Sequence, residues 1–316
     1  MRLVPALALV PTLLLAACLG HRLPPTAPGS PEAISLLGAP LYAPELPLEQ
    51  RQRMEADLAE AYSAYARDPD DADALIWLGR RVAYLGRYRD AVDIFSEGVR
   101  RHPDDPRIYR HRGHRYITLR QFRKARADLE RAARLMAGHP DEVEPDGMPN
   151  RLNRPLTTLH FNVWYHLGLA YYLDGDFSRA AAAFGNALRV SANDDTVAAA
   201  TDWLYMSLRR LGRHDEAQAL LERITPQMDI IENEAYHRRL LMYKGVLPAD
   251  SLLRENGDAV TVATQGYGVG NWHLYSGRPD RAEEIFWRVT SAENWAPFGY
   301  IAAEAELRRL LRRRRN

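Results

Sequence analysis

Between residues 72 and 138, apolar and small side chains return on a fixed beat, with Gly79 and Gly113 thirty-four positions apart and Pro69 and Pro103 separated by the same interval. Leu75, Leu78 and Val82, and then Ala91 and Phe95, follow one another at steps of three or four, the spacing of one helix face. Gly86 divides the two sets, so the period predicts a pair of antiparallel helices. Tyr109, Gly113, Tyr116, Phe122, Ala125, Leu129 and Ala132 repeat the pattern, with departures at Arg112 and Arg120. The fullest copy is Trp164, Leu167, Gly168, Tyr171, Gly175, Phe177, Ala180, Phe184 and Ala187. A degenerate fourth unit keeps Leu204, Leu208, Gly212, Ala217 and Leu221, and a fifth keeps Gly270, Gly277, Ala282 and Phe286. No single helix pair can bury its apolar face alone, so the units must stack and the ends must be capped.

These positions fall on W-x2-L-G-x2-Y, then G-x-Y-x2-A-x3-F-x2-A, then P, and so resemble the tetratricopeptide repeat. The resemblance implies an all-α fold, a right-handed α-solenoid of about five helix pairs, with repeats at about 72–105, 106–138, 161–194, 198–228 and 263–292. Residues 48–67 read as an amphipathic N-terminal cap and the stretch from Phe298 as a closing helix, making 48–316 the solenoid. Two insertions, 137–157 and 225–256, interrupt the period, and the first is a candidate for covering or lining the groove. Nothing in the pattern suggests a β-sheet.

The N-terminus reads differently. "MRLVPALALVPTLLLAAC" places Arg2 before an apolar run too short to span a bilayer, the form of a secretory signal at 1–17. Leu15-Ala16-Ala17-Cys18 resembles the lipobox of bacterial lipoproteins, which makes Cys18, the single cysteine, the lipidated residue and leaves no disulfide. Acyl chains such as palmitate would hold it at a membrane, and Leu19 in place of aspartate implies the outer membrane facing the periplasm. Residues 18–47, rich in proline, then read as anchor and tether, with 20–47 extending up to roughly 85 Å if drawn out.

Charge narrows little at the scale of the whole chain, because 42 basic residues face 41 acidic ones, and nucleic acid is not an expected partner. Locally, sixteen Lys and Arg stand against seven Asp and Glu between Leu75 and Ala137. His160 and His166 are six apart and share no helix face, His111 and His114 lack a third ligand, and no metal or other cofactor is expected. No nucleophile motif is present, and "QGYGVGN" at 265–271 lacks phosphate-loop spacing and reads as close helix packing, so no catalytic residues and no enzyme are expected. "RRLLRRRRN" at the C-terminus is read as capping a helix dipole and meeting anionic lipid or polymer.

The resemblance implies a ligand groove on the concave face. Carried over residue by residue, its positions include Arg80, Arg107, Arg110 and His114, then Asn162, Tyr165 and Tyr172, then Arg209. Guanidinium forks suit carboxylates and tyrosine faces suit peptides or sugars, so an extended peptide with an acidic segment is the expected ligand. The bland alternative is a solvated basic face, and a second functional alternative is a glycan or small-ligand module using Tyr165, Tyr172 and Asn162. The whole layout, including "DWLYMSLRR", "GNWHLYSGRPDRAEEIF" and "FGYIAAEAEL", is similar to periplasmic adaptor lipoproteins of the tetratricopeptide class. That likeness implies a scaffold for envelope proteins such as cell-wall-remodelling enzymes or a protease, and is compatible with a homodimer.

Overall fold

The computed structural model describes residues 29–253 and 259–315, so the expected signal peptide, Cys18 and the start of the tether lie outside the described residues. Within them the fold is an all-α solenoid. Helix α1 (Leu48–Arg67) packs on α2 (Ala72–Tyr84), which pairs with α3 (Tyr88–Arg101), and α4 (Pro106–Thr118) pairs with α5 (Phe122–Leu135). After a long loop come α6 (Leu159–Asp174) with α7 (Phe177–Arg189), then α8 (Asp194–Arg210) with a seven-residue α9 (His214–Leu220). Helices α10 (Glu234–Tyr243) and α11 (Ala249–Leu253) fill the second insertion, α12 (Ala259–Tyr275) pairs with α13 (Pro279–Thr290), and α14 (Phe298–Arg315) closes the array.

Local chemistry sets the helix starts. Asp71 accepts from the Asp73 amide and Asp105 from the Arg107 amide, with Pro106 in the first turn of α4. Thr158 caps α6, and Asn193 with Thr196 forms a reciprocal capping box on α8. The repeat glycines are where paired helices touch: a Cβ on Gly168 would lie 2.7 Å from the Phe184 ring, on Gly113 2.7 Å from Leu129 Cγ, and on Gly270 2.6 Å from the Phe286 ring. The "QGYGVGN" glycines are therefore packing positions within α12. Helix α6 buries thirteen of its sixteen residues, as a helix apolar on every side must.

Both departures in the second repeat have a physical cause. Arg112 donates through Nε and Nη2 to the buried Asp128 carboxylate, each at 2.7 Å. Arg120 adopts φ 61°, the left-handed turn that Gly86 and Gly175 supply elsewhere, and sends its guanidinium to Glu304 on α14 at 3.0 Å. The same group donates to the Thr118 carbonyl at 2.6 Å and the Trp295 carbonyl at 3.0 Å, fastening the last helix to the second repeat.

One expectation is corrected. The proline-rich stretch assigned as tether through residue 47 is docked from Gly29 onward: β1 (Ala33–Ile34) pairs antiparallel with β2 (Pro40–Leu41), a small hairpin that the helical pattern gave no sign of. Glu32 accepts from the Arg89 amide at 2.9 Å, and the Trp295 indole N–H donates to the Tyr42 carbonyl at 2.6 Å. Prolines hold a segment extended without preventing it from packing, and Ala33 and Leu41 are buried against the solenoid.

Candidate functional site at the inner face of the first three repeats

Arg80 and Arg81 on α2, Arg110 and His111 on α4 and Asn162 on α6 converge on the segment Glu142–Gly147 of the first insertion. That segment is extended and tied back to the start of α6: the Leu159 amide donates to the Glu142 carbonyl and the Glu144 amide to the Thr157 carbonyl, both at 2.9 Å. The Glu144 carboxylate lies 3.0 Å from Arg110 Nη2, 3.5 Å from His111 Nε2 and 2.9 Å from the Asn162 amide nitrogen that donates to it. Arg80 donates to the Pro145 carbonyl at 2.8 Å and Arg81 to the Gly147 carbonyl at 3.0 Å. The acidic extended ligand expected for these arginines is thus supplied by the protein itself. "DEVEPD", with four carboxylates in six residues opposite an arginine-rich face, was the signal that could have found it.

Beneath the segment is a cavity of about 150 Å³ bordered by Arg80, Arg110, His111, His114, Arg115 and Asp146. Burial pushes the imidazoles of His111, His114 and His166 well below their usual value, with neighbouring arginines adding to the effect, so all three are neutral at pH 7. Burial also brings Arg115 down to about 10, still charged. The positive potential here comes from guanidinium groups alone. Beside it opens an adjoining cleft of about 200 Å³, with Trp77, Ile76 and Val143 as its apolar side and Arg80 and Arg107, together with the carboxylates of Asp73, Glu142 and Glu144, as its charged side. Arg80 stacks 4.3 Å above the Trp77 ring, and Arg107, more exposed, bridges Asp73 at 2.5 Å and Asp105 at 2.6 Å. The hydrogen bonds that Arg107 donates to the Asp105 carboxylate push the Arg107 pKa further up.

The remaining expected groove residues are structural. Asn162 is committed to Glu144 and Thr157. Tyr165 is buried, donating to the Tyr236 hydroxyl on α10 at 2.9 Å with its ring against Phe161, Phe184 and Phe298. Tyr172 is wholly buried: its hydroxyl accepts from Tyr267 at 2.7 Å and Asn271 at 3.0 Å, and burial pushes its pKa up to about 12. The His114 ring packs at a tilt against His166, with centroids 4.4 Å apart, and against Phe298 at 5.3 Å. Helices α10, α12 and α14 fill the concavity that the first helices of the repeats would otherwise open, which removes the tyrosines from any glycan or peptide. Arg209, at the end of α8, donates to the Tyr205 hydroxyl at 2.8 Å and belongs to a different cleft. Trp77, Arg81, Arg115 and Glu144 are the site residues that the repeat frame did not indicate. Among the described residues no group of three or more His, Cys, Asp or Glu side chains could hold a metal ion, and no helix is long and apolar enough to cross a membrane.

Residues 48–106 and 161–194 match tetratricopeptide repeat family profiles. A curated relative, BBSome complex member BBS4 of Bos taurus, is 23% identical over 210 residues, 65% of this chain, and the match spans 34% of that protein, about a third of its length. The crystal structure of a tetratricopeptide repeat protein from Parabacteroides merdae aligns with a TM-score of 0.50 at 17% identity, covering 82% of this chain and 94% of that one. YrrB, described as a TPR protein with an unusual peptide-binding site, aligns with a TM-score of 0.42 at 15% identity over 80% of this chain and 97% of that one. The protein carries tetratricopeptide repeats and folds as an all-α tetratricopeptide solenoid.

Proposed function

We propose that this protein is a lipid-anchored scaffold of a bacterial cell envelope, held by Cys18 in the outer membrane and recruiting periplasmic proteins through the cleft at Trp77, Arg80 and Arg107. The observation that carries the reading is that the inner face already holds an extended acidic segment, Glu142–Gly147, by its carbonyls and by the Glu144 carboxylate. A partner segment of the same chemistry would lie alongside it, its carboxylates meeting Arg80 and Arg107 and an apolar side chain resting on Trp77 and Ile76. The lipobox at Leu15–Cys18 and the tetratricopeptide repeats support the reading, as does the likeness of the layout to the periplasmic adaptor lipoprotein NlpI, whose class of partner includes cell-wall-remodelling enzymes and proteases.

Pull-down from detergent-solubilised membranes tests both parts. Arg110 is unsuitable for charge reversal because it is buried against Glu144, so the informative change is Arg107→Glu with Trp77→Ala. This pair should lose most captured proteins while keeping wild-type helical content, and undiminished capture would refute the cleft. Cys18→Ser should move the protein to the soluble fraction; retention in the membrane would refute the anchor.

A further inference from the structure

We propose that a second cleft, where α8, α12 and α14 meet, binds a phosphate group. It measures about 220 Å³ and is bordered by Arg209, Arg210, Tyr275, Glu306, Arg309 and Arg313. The single carboxylate, Glu306, is buried and already held by Arg210 and Arg309, each at 2.6 Å. Arg309 is further fixed by the Leu173 carbonyl at 2.6 Å, and Arg210 by the Asn271 side-chain oxygen at 3.3 Å. Arg209 stacks 4.5 Å from the centre of the Tyr275 ring, and its Nε is buried with no acceptor. Arg313 is exposed and makes no ion pair among the described residues. A buried guanidinium N–H without an acceptor is a cost that a bound oxyanion would remove.

Charge decides the class of anion. Four guanidinium groups against one carboxylate leave an excess of three positive charges. The C-termini of α6, α8 and α12 each bring roughly half a negative charge, reducing the excess to about 1.5. A phosphate ester carries about −1.5 to −2 at pH 7 and matches this, whereas one carboxylate leaves part of the field unbalanced. Three of the four arginines are pre-positioned by existing bonds, and their planar forks suit phosphate oxygens. The phosphate can arrive as a free ion or as a phospholipid headgroup.

The full chain is titrated calorimetrically with inorganic phosphate, and separately with phosphatidylcholine vesicles with and without phosphatidic acid. Saturable binding of either phosphate probe supports the site, and which arm responds assigns the source. Arg209→Ala with Arg313→Ala should weaken binding at least tenfold. Arg313→Ala alone, at an exposed position, should weaken it severalfold without touching the fold. Arg314→Ala, whose guanidinium pairs with Glu283 on α13, should leave it unchanged. Absence of saturable binding to both probes, equal binding by the double variant, or a glutamate peptide binding as tightly as phosphate would each overturn the proposal.

Discussion

Replacing Glu304 by alanine tests whether the closing helix is bolted to the second repeat as described. The Arg120 and Glu304 side chains are 3% and 1% exposed, so removing the carboxylate leaves a buried guanidinium with its charge uncompensated. Breaking such a pair from one side costs about 3–5 kcal/mol. Here Arg120 keeps two carbonyl acceptors and stays stacked over Trp295, 5.0 Å from its ring centre, which places the expected loss near the lower end, about 3 kcal/mol. The backbone supplies an internal control. Because residue 120 sits at φ 61°, Arg120→Gly should be more stable than Arg120→Ala by about 1 kcal/mol, the reverse of the usual order in a helix. Urea unfolding followed by far-ultraviolet circular dichroism measures all three. A loss below about 1 kcal/mol for Glu304→Ala, or alanine matching glycine at 120, would refute the reasoning.

Two further expectations follow from other buried groups. Burial pushes the Asp202 carboxyl from 3.8 up to about 6 despite its ion pair with Arg239, so the contribution of its titration to stability is full below 3.8 and lost as pH rises through about 6. Asp202→Asn lacks that slope, so the stability of wild type relative to the variant should fall between pH 4 and pH 7 in urea titrations; a constant difference would count against it. Trp295→Ala removes the indole that bonds the Tyr42 carbonyl and meets the Tyr88 ring at 5.3 Å, and should cost about 3–5 kcal/mol. Limited proteolysis should then cut within residues 29–47 faster than in wild type, and an unchanged rate would separate the hairpin from Trp295.

Much of the solenoid was legible because its signals are local. The Gly168–Phe184 contact lies within one helix pair, and the thirty-four-residue spacing of Gly79 and Gly113 links equivalent positions of neighbouring pairs, where sequence distance and spatial distance agree. The groove was less legible for the same reason. The repeat frame points Tyr165 and Tyr172 inward correctly, but what they meet, Tyr236 and Tyr267, is 71 and 95 residues away and depends on how later helices fold back. Arg120 looked like an imperfect repeat and is instead a long-range contact, visible only once Glu304 is beside it. The arginines at 80 and 110 were identified, while their partners, the Pro145 carbonyl and the Glu144 carboxylate, were not, because an irregular loop has no periodicity to place them.

The docking of the Ala33–Leu41 hairpin and Trp295 against one another joins the two extremities of the array. A linear stack of repeats behaves as a spring, stretching and fraying from its free ends. Joined ends close the repeats into a circuit through the hairpin and Trp295, with α1 packed on α2 at its edge, and curvature is then set by closure rather than by load. Strain applied at any one point is then shared around the circuit, so the shape of the inner face stays constant under load.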